Sequence, residues 1–291
     1  MAHDGGERGP GTLSDDVLAV AAVAGEPDAL EALLGRYRGW IHNLALRMLW
    51  DARDADDATQ EILLKIATRL ATFRGDSAVR TWVWRVAANH LLSRRRGRVE
   101  EVVHDFDCYA NALAALPDED EPGPEERLLV QEAKVGCTMG MLLCLDREQR
   151  LAFVLGEILG ATDAEGADAL GTKPDGFRQR LSRARRQLQA FLEGRCGLVD
   201  PANPCRCARK TRAFVRAGIV DPARLQFTAD HRARVEEVAP ARSDALDRAA
   251  AAFARLWREH PFYEPPALAG ALRALVEDAG ASQSARVPGM S

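Results

Sequence analysis

Six arginines, at positions 80, 85, 94, 95, 96 and 98, fall within RTWVWRVAANHLLSRRRGR, together with Trp82 and Trp84 and no acidic residue. Guanidinium groups grip phosphate oxygens in a fixed planar geometry, and aromatic rings between them can stack on unpaired bases. A stretch of this composition suits a nucleic-acid strand, the plainer alternative being a solvated arginine face beside two core tryptophans. Val83, Val86, Ala87 and Leu91 recur at three- and four-residue steps, which predicts a helix with one buried face. On that helix Arg85, Asn89 and Arg96 fall on another face, turned to meet a polyanion.

The elements that must position these residues are bounded by composition. A chain of 291 residues with 47% hydrophobic residues allows two or three small domains. Its net charge is only -4, so the basic stretches are balanced by acidic ones elsewhere. No apolar run approaches the ~20 residues needed to span a bilayer, and the polar, Gly-rich start MAHDGGERGPGT is unlike a secretory signal. The expectation is a cytoplasmic protein with no membrane segment, in which cysteines stay reduced. Residues 1–11 read as a disordered leader.

Residues 12–98 read as one helical domain. Ser14 can cap a first helix from Asp15 to Ala24 that Gly25 ends, and Pro27 suits the first turn of a second, running to about Trp50. A third begins in the acidic patch Asp54, Asp56, Asp57, where carboxylates favour the positive end of the helix dipole. Ile62, Leu63, Ile66 and Leu70 give it an apolar face, with Asp57, Gln60, Glu61 and Lys65 opposite. Phe73 to Ser77 make the turn into the arginine helix.

The run DADDATQEILLKIATRLATFRGDSAVRTWVWRVAANHLLSRRRGR resembles region 2 of bacterial RNA polymerase sigma factors of the extracytoplasmic-function (ECF) type. The features that carry the resemblance occur in the family's order: an acidic-to-Gln-Glu helix, Phe-Arg-Gly-Asp-Ser, Arg-Thr-Trp, and an aromatic helix ending in arginines. The resemblance implies that Asp56, Asp57, Gln60 and Glu61 bind core RNA polymerase. It implies that Phe73, Arg74, Asp76 and Ser77 capture a base flipped from the start-proximal promoter element, and that Arg80, Trp84, Arg85 and Asn89 engage that element as it melts. An extruded base needs a snug polar pocket, and a melted strand needs stacking and phosphate contacts. From the residues alone, Phe73 also reads as a core anchor and Asp76 or Ser77 as a helix cap.

Residues 99–126 hold ten acidic residues, prolines at 117, 122 and 124, and no lysine or arginine. Such a segment repels itself, so it is expected to be extended and mobile. Stretched, it would reach about 90 Å, more than one helical turn of DNA, ~34 Å. The resemblance implies that it threads through the polymerase near the RNA path; a solvated spacer is the plainer reading.

Residues 127–195 read as a second helical domain, with Cys137 and Cys144 in its core, containing a helix-turn-helix. A short helix ends at Leu170, Gly171 permits the turn, Pro174 starts the next helix, and Phe177 and Leu181 point inward. Early residues of a second motif helix reach base edges and later arginines hold phosphates. Lys173, Asp175, Arg178 and Gln179 are therefore candidate readers, and Arg183 and Arg186 backbone contacts. This part resembles sigma region 4, which implies a distal promoter element as its ligand. Gly166 departs from the family pattern, where an aliphatic core residue is usual; its helix cost of up to ~1 kcal/mol and lost side chain predict DNA binding by this domain that is weaker or dependent on the rest of the chain.

CGLVDPANPCRC places Cys196, Cys205 and Cys207 within twelve residues. Zinc or copper bound by these thiolates, with His231, Asp200 or water as fourth ligand, is one reading. A redox pair of Cys205 with Cys207, or a structural role without metal, are the others. Residues 208–291 read as a helical extension with apolar stripes at Leu246–Trp257 and Leu268–Val276, suited to dock on the preceding domains or on a partner and to act in self-inhibition.

No Walker loop, dinucleotide fingerprint, Ser-His-Asp set or metal-hydrolase signature is present, so an enzyme is not expected. The expectation is an all-α sigma factor: two small helical domains joined by a flexible acidic linker, plus a helical C-terminal extension. It would work without a required cofactor, with core RNA polymerase and promoter DNA as partners and an anti-sigma protein as a further candidate. A helix-turn-helix regulator acting on duplex DNA without polymerase, and a thiol-based metal or redox sensor, stand as alternatives.

Overall fold

Ser14 and Pro27 set the first two helices in the computed structural model, which describes residues 13–225 except 121 and 224, with only the backbone of Arg98. The Ser14 hydroxyl accepts from Val17 N at 3.3 Å and opens α1, Asp15–Val23. Gly25 takes φ 98°, a left-handed conformation that favours glycine, and Pro27 begins α2, Pro27–Leu49. Trp50, also left-handed, ends α2, and Asp51 caps α3, Ala52–Arg69, by accepting from Asp54 N at 2.9 Å. The loop at 73–77 leads to α4, Val79–Ser93, which packs on α2 through the stacked rings of Trp40 and Trp84, 5.2 Å apart.

Two expectations for the arginine stretch are corrected. The helix ends at Ser93, because Arg94 turns to extended backbone, so Arg96 does not share a helical face with Arg85 and Asn89. Trp84 is no exposed stacking ring; it is 2% exposed, in line with Ala87, Ala88 and Leu91 on the buried face. Three- and four-residue spacing from Leu91 back to position 84 puts it there.

The acidic segment is not an extended spacer. It carries α5, Arg98–Val102, and α6, Phe106–Ala115, the latter capped by Asp105, which accepts from Cys108 N at 2.7 Å. Phe106, Tyr109 and Leu113 recur at three- and four-residue steps and give α6 an apolar side. Tyr109 is buried, donating to the Cys137 carbonyl at 2.8 Å, and both Phe106 and Tyr109 lie against Phe191. Charge dominates the composition, but local apolar spacing decides the fold.

The second half comprises α7, Arg127–Met141, then α8, Arg147–Phe153, which widens into a π turn at Val154–Ile158, then α9, Asp163–Ala169, and α10, Pro174–Arg195. Gly171, at φ 62°, makes the turn between α9 and α10. A last described helix, α11, spans Cys207–Arg216. Among the described residues there is no strand, only one isolated bridge between Cys196 and Cys205, and no helix long and apolar enough to cross a membrane. The leader, His231 and the apolar stripes beyond residue 225 lie outside the described residues.

One polar knot ties the halves together. Glu100, 4% exposed, receives Arg150 Nη1 at 2.7 Å and Arg147 Nε at 3.0 Å. Arg150 also donates to the carbonyls of Leu142, Leu143 and Leu145, and to Met48 at the end of α2. Burial pushes the Glu100 carboxyl up in pKa, but the Arg147 hydrogen bond and the Arg150 charge outweigh it and hold it below its ordinary value.

Gly166 is also explained. A Cβ at this position would stand 2.3 Å from the Phe177 ring, so the ring of α10 occupies the space of the missing side chain. The missing side chain thus leaves a tight α9–α10 contact and no cavity.

Two outcomes follow. Gly166→Ala should cost about 1–3 kcal/mol in denaturant unfolding through overpacking, and a smaller residue at position 177 should recover part of it. Glu100→Gln should cost about 3–5 kcal/mol by leaving the buried Arg150 and half-buried Arg147 guanidinium groups without their counter-charge. Because the folded-state value of Glu100 is depressed, its contribution is complete above the ordinary carboxylate range and lost as pH falls through the folded value. Wild type should therefore lose more stability on acidification than Glu100→Gln, as read by unfolding midpoints at a series of acidic pH values.

Candidate nucleic-acid and polymerase interfaces

The outer face of α3 divides the quartet Asp56, Asp57, Gln60 and Glu61. Asp57, Gln60 and Glu61 are exposed, while Asp56 is half-buried and turned to His42, with its Oδ1 3.2 Å from Nδ1. Burial holds His42 below its usual pKa despite the neighbouring carboxylate. Leu64, 40% exposed, extends the face by one turn. Sequence reading missed it; the signal was the pair Leu63–Leu64, of which a helix can bury only one here.

The turn before α4 makes a cleft of about 540 Å³, lined by Asp16, Ala19, Val20 and Val23 of α1 together with Phe73, Gly75, Ser77 and Ala78. Phe73 leans on Trp82, ring centroids 5.8 Å apart, and Arg74 and Asp76 are exposed beside it. The cap position of α4 is Ala78, which has no capping side chain, so neither Asp76 nor Ser77 serves as the N-cap. The contribution of α1 was not anticipated, although Val17, Val20 and Val23, all exposed, recur every three residues.

A second cleft of about 390 Å³ lies between α3 and α4, lined by Lys65, Arg69, Trp82, Arg85, Asn89 and His90 among others. It is cationic. Burial, then the Lys65 charge, lowers the His90 pKa, and Lys65 Nζ lies 2.6 Å from His90 Nδ1. This cleft gathers Arg85 and Asn89, as the helical spacing requires, and adds Lys65, Arg69 and Trp82. Arg80 stands at the other end of the helix with its guanidinium 4.9 Å from the centre of the Trp84 ring.

On α10, Lys173, Asp175, Arg178, Gln179, Arg183 and Arg186 are all exposed. Phe177, Leu181, Ala184, Leu188 and Leu192 face the core and fix that orientation. Two other arginines turn to carboxylates of neighbouring segments: Arg180 lies 2.7 Å from Glu148 and Arg185 Nε lies 2.6 Å from Glu157. Arg178 pairs with Asp163 at 3.1 Å and with Asp175.

The two candidate surfaces are not separated by a spacer. Helix α9 packs on α4, and its carboxylates meet the α4 arginines: Glu165 pairs with Arg80, and Asp168 with Arg85 at 2.5 Å. Glu165 is held in place by a capping box, accepting from Thr162 N at 2.9 Å while its own N–H donates to the Thr162 hydroxyl at 3.3 Å. The carboxylates of α9 thus neutralise the guanidinium groups of α4.

The cysteine segment folds as a tight knuckle. Gly197 N donates to Cys205 O at 3.0 Å, and the Asn203 amide donates to the carbonyls of Glu193 and Cys196 at 2.8 and 3.1 Å. Burial pushes the Cys207 thiol up to about 12. Among the described residues, no three His, Cys, Asp or Glu side chains are gathered so as to hold a metal ion.

An all-helical chain with two arginine-bearing helices, one beside a base-sized cleft and one in a helix-turn-helix, is of the kind that meets nucleic acid at two places. A family model described as Sigma-70 region 2 matches residues 33–100. The chain is similar to ECF RNA polymerase sigma factor SigM of Mycobacterium tuberculosis, 31% identical over 179 residues that span 62% of this chain and 85% of that protein. RNA polymerase sigma-H factor of Pseudomonas aeruginosa is 29% identical, covering 62% and 94% of the two chains, and ECF RNA polymerase sigma-E factor of Escherichia coli is 28% identical, covering 60% and 93%. The solved structure of CnrH in complex with the cytosolic domain of CnrY aligns at a TM-score of 0.45 and 23% identity, over 62% of this chain and 97% of that one. This chain belongs to the ECF RNA polymerase sigma factors.

The α4–α9 pairs are partly exposed, and each such pair is worth about 0.2–1 kcal/mol. Replacing Glu165 and Asp168 together with alanine should therefore raise binding of a single-stranded oligonucleotide by about twofold to thirtyfold at low salt, as read by fluorescence anisotropy. The gain should shrink as salt screens the pairs.

Proposed function

We propose that this sigma factor binds core RNA polymerase through Asp57, Gln60, Glu61 and the adjoining Leu64, and directs it to a two-part promoter. The observation that carries the reading is the clustering of Arg85, Asn89, Lys65, Arg69 and Trp82 around one cationic cleft beside the Phe73–Ser77 turn. A cleft of about 540 Å³ has room for one extruded base, with Ser77 and Asp16 as polar groups to meet its edge. The cationic cleft suits the sugar-phosphate of the strand released as the start-proximal element melts, with Trp82 as a stacking surface. Arg80 lies on the same helix and joins this contact once Glu165 leaves it.

The distal element is read by α10. Lys173, Asp175, Arg178 and Gln179 stand at the end that enters the major groove, and Arg183 and Arg186 follow the backbone. Arg178 must exchange its carboxylate partners for DNA to do so.

The closed α4–α9 contact favours a sigma factor over a free-standing duplex-DNA regulator. A protein whose competent state is a minor fraction binds with affinity reduced by that fraction. Promoter recognition by the isolated chain is therefore weak, and core polymerase, by taking up α3, favours the open arrangement.

Run-off transcription with purified core polymerase and a genomic DNA pool tests this function. Discrete transcripts that depend on the protein, and that disappear with Arg85→Glu, are expected. Tight, sequence-selective duplex binding by the protein alone, with no dependent transcripts, would assign it to the polymerase-independent regulators instead.

A further inference from the structure

Helix α11 carries Arg209, Lys210, Arg212 and Arg216 and no acidic residue, and it lies along the acidic segment that joins the two halves. The match is residue by residue. Arg216 grips Glu119 with two nitrogens, one at 2.9 Å. Arg212 grips Glu126 with two, at 2.7 and 3.2 Å. Lys210, 8% exposed, reaches Asp118 at 3.0 Å and donates to the Leu116 carbonyl. A backbone bond completes the contact: Glu119 N donates to Arg209 O at 3.0 Å.

Two features argue that this contact is made to open. The pairs are open to water on one side, the Arg212 and Arg216 side chains being exposed while those of Glu119 and Glu126 are half-buried, so each carboxylate can exchange its arginine for another cation. The apolar part of the seat is also separate from the main core: Ala133, Phe214 and Val220 form a small cluster of their own, bordered by Leu113, Leu116, Leu129 and Val215. Helix α11 can therefore leave without exposing the main core, which the two halves share, as a local unit of low stability. Its departure uncovers Glu119 and Glu126 and frees Asp118, beside the already exposed Asp120 and Glu125.

The resemblance to sigma factors already implies that the acidic segment meets the polymerase; we propose that α11 is a clasp within the same chain that occupies its carboxylates Asp118, Glu119 and Glu126 until a cationic patch of core RNA polymerase displaces it. The identity of the partner rests on the sigma-factor reading; the clasp itself does not. The same carboxylates cannot be gripped by α11 and by the polymerase at once, so the two contacts compete.

The test uses the full chain in three forms: Arg212→Glu with Arg216→Glu, Glu119→Arg with Glu126→Arg, and all four changes combined. Hydrogen exchange at the Glu119 amide reports the clasp, and titration with core polymerase reports the surface. The arginine variant should speed Glu119 exchange by about tenfold or more and bind core polymerase several-fold more tightly. The glutamate variant should also speed exchange but bind core more weakly, and the combined variant should recover slow exchange without recovering affinity. Unchanged exchange in both two-site variants would overturn the clasp. Faster exchange in the arginine variant with no gain in core affinity would overturn the competition. Failure of the wild-type chain to bind core at all would instead defeat the sigma-factor reading, and Glu119 exchange would still decide the clasp.

Discussion

A single buried carboxylate holds the two halves of this protein in register. Glu100 sits between Arg147 and Arg150, and Arg150 spends its remaining donors on the 142–145 turn and on the last turn of α2. Three parts of the chain, the end of α2, the start of the acidic segment and the start of α8, thereby meet at one guanidinium. Buried charge is tolerated only when every lone pair and proton has a partner, and that demand fixes how these parts meet within the apolar core the two halves share. The position of α8 in turn carries α9 and α10 to where they lie.

With the halves so placed, the α9 carboxylates fall on the α4 arginines. On the proposed function, the surface that takes the melted strand is thus covered by carboxylates. The individual ion pairs are weak and salt-sensitive, while Ala167 and Ala169 of α9 pack in the core shared with α4. Strong internal knots and weak, exposed latches are different kinds of contact, and the chain uses each where its strength fits.

Much of the framework was legible from sequence because it is local. Ser14, Pro27, Gly171 and Pro174 mark helix ends for reasons of backbone geometry, and the exposed side of α10 follows from the spacing of Phe177, Leu181, Ala184 and Leu188. What was not legible is long-range. Nothing near Arg80 or Arg85 in the chain announces Glu165 and Asp168, 85 and 83 residues away. The acidic segment misled because its composition was averaged over 28 residues, whereas Phe106, Tyr109 and Leu113 act at helical spacing, and Glu100 is buried by a partner 50 residues on. Trp84 was within reach: its spacing from Ala87, Ala88 and Leu91 already placed it on the buried side. Gly166 looked like a defect until the Phe177 ring was seen in its place.

The central claim is that the promoter-facing side of α4 is covered by α9 in the free chain and uncovered on core polymerase. Spin labels at Thr68 on α3 and Gln187 on α10, both exposed, measure it directly by pulsed dipolar spectroscopy. The account predicts one narrow distance distribution in the free protein, replaced on adding core polymerase by one shifted to longer distance. An unchanged distribution in a complex that initiates transcription would contradict it.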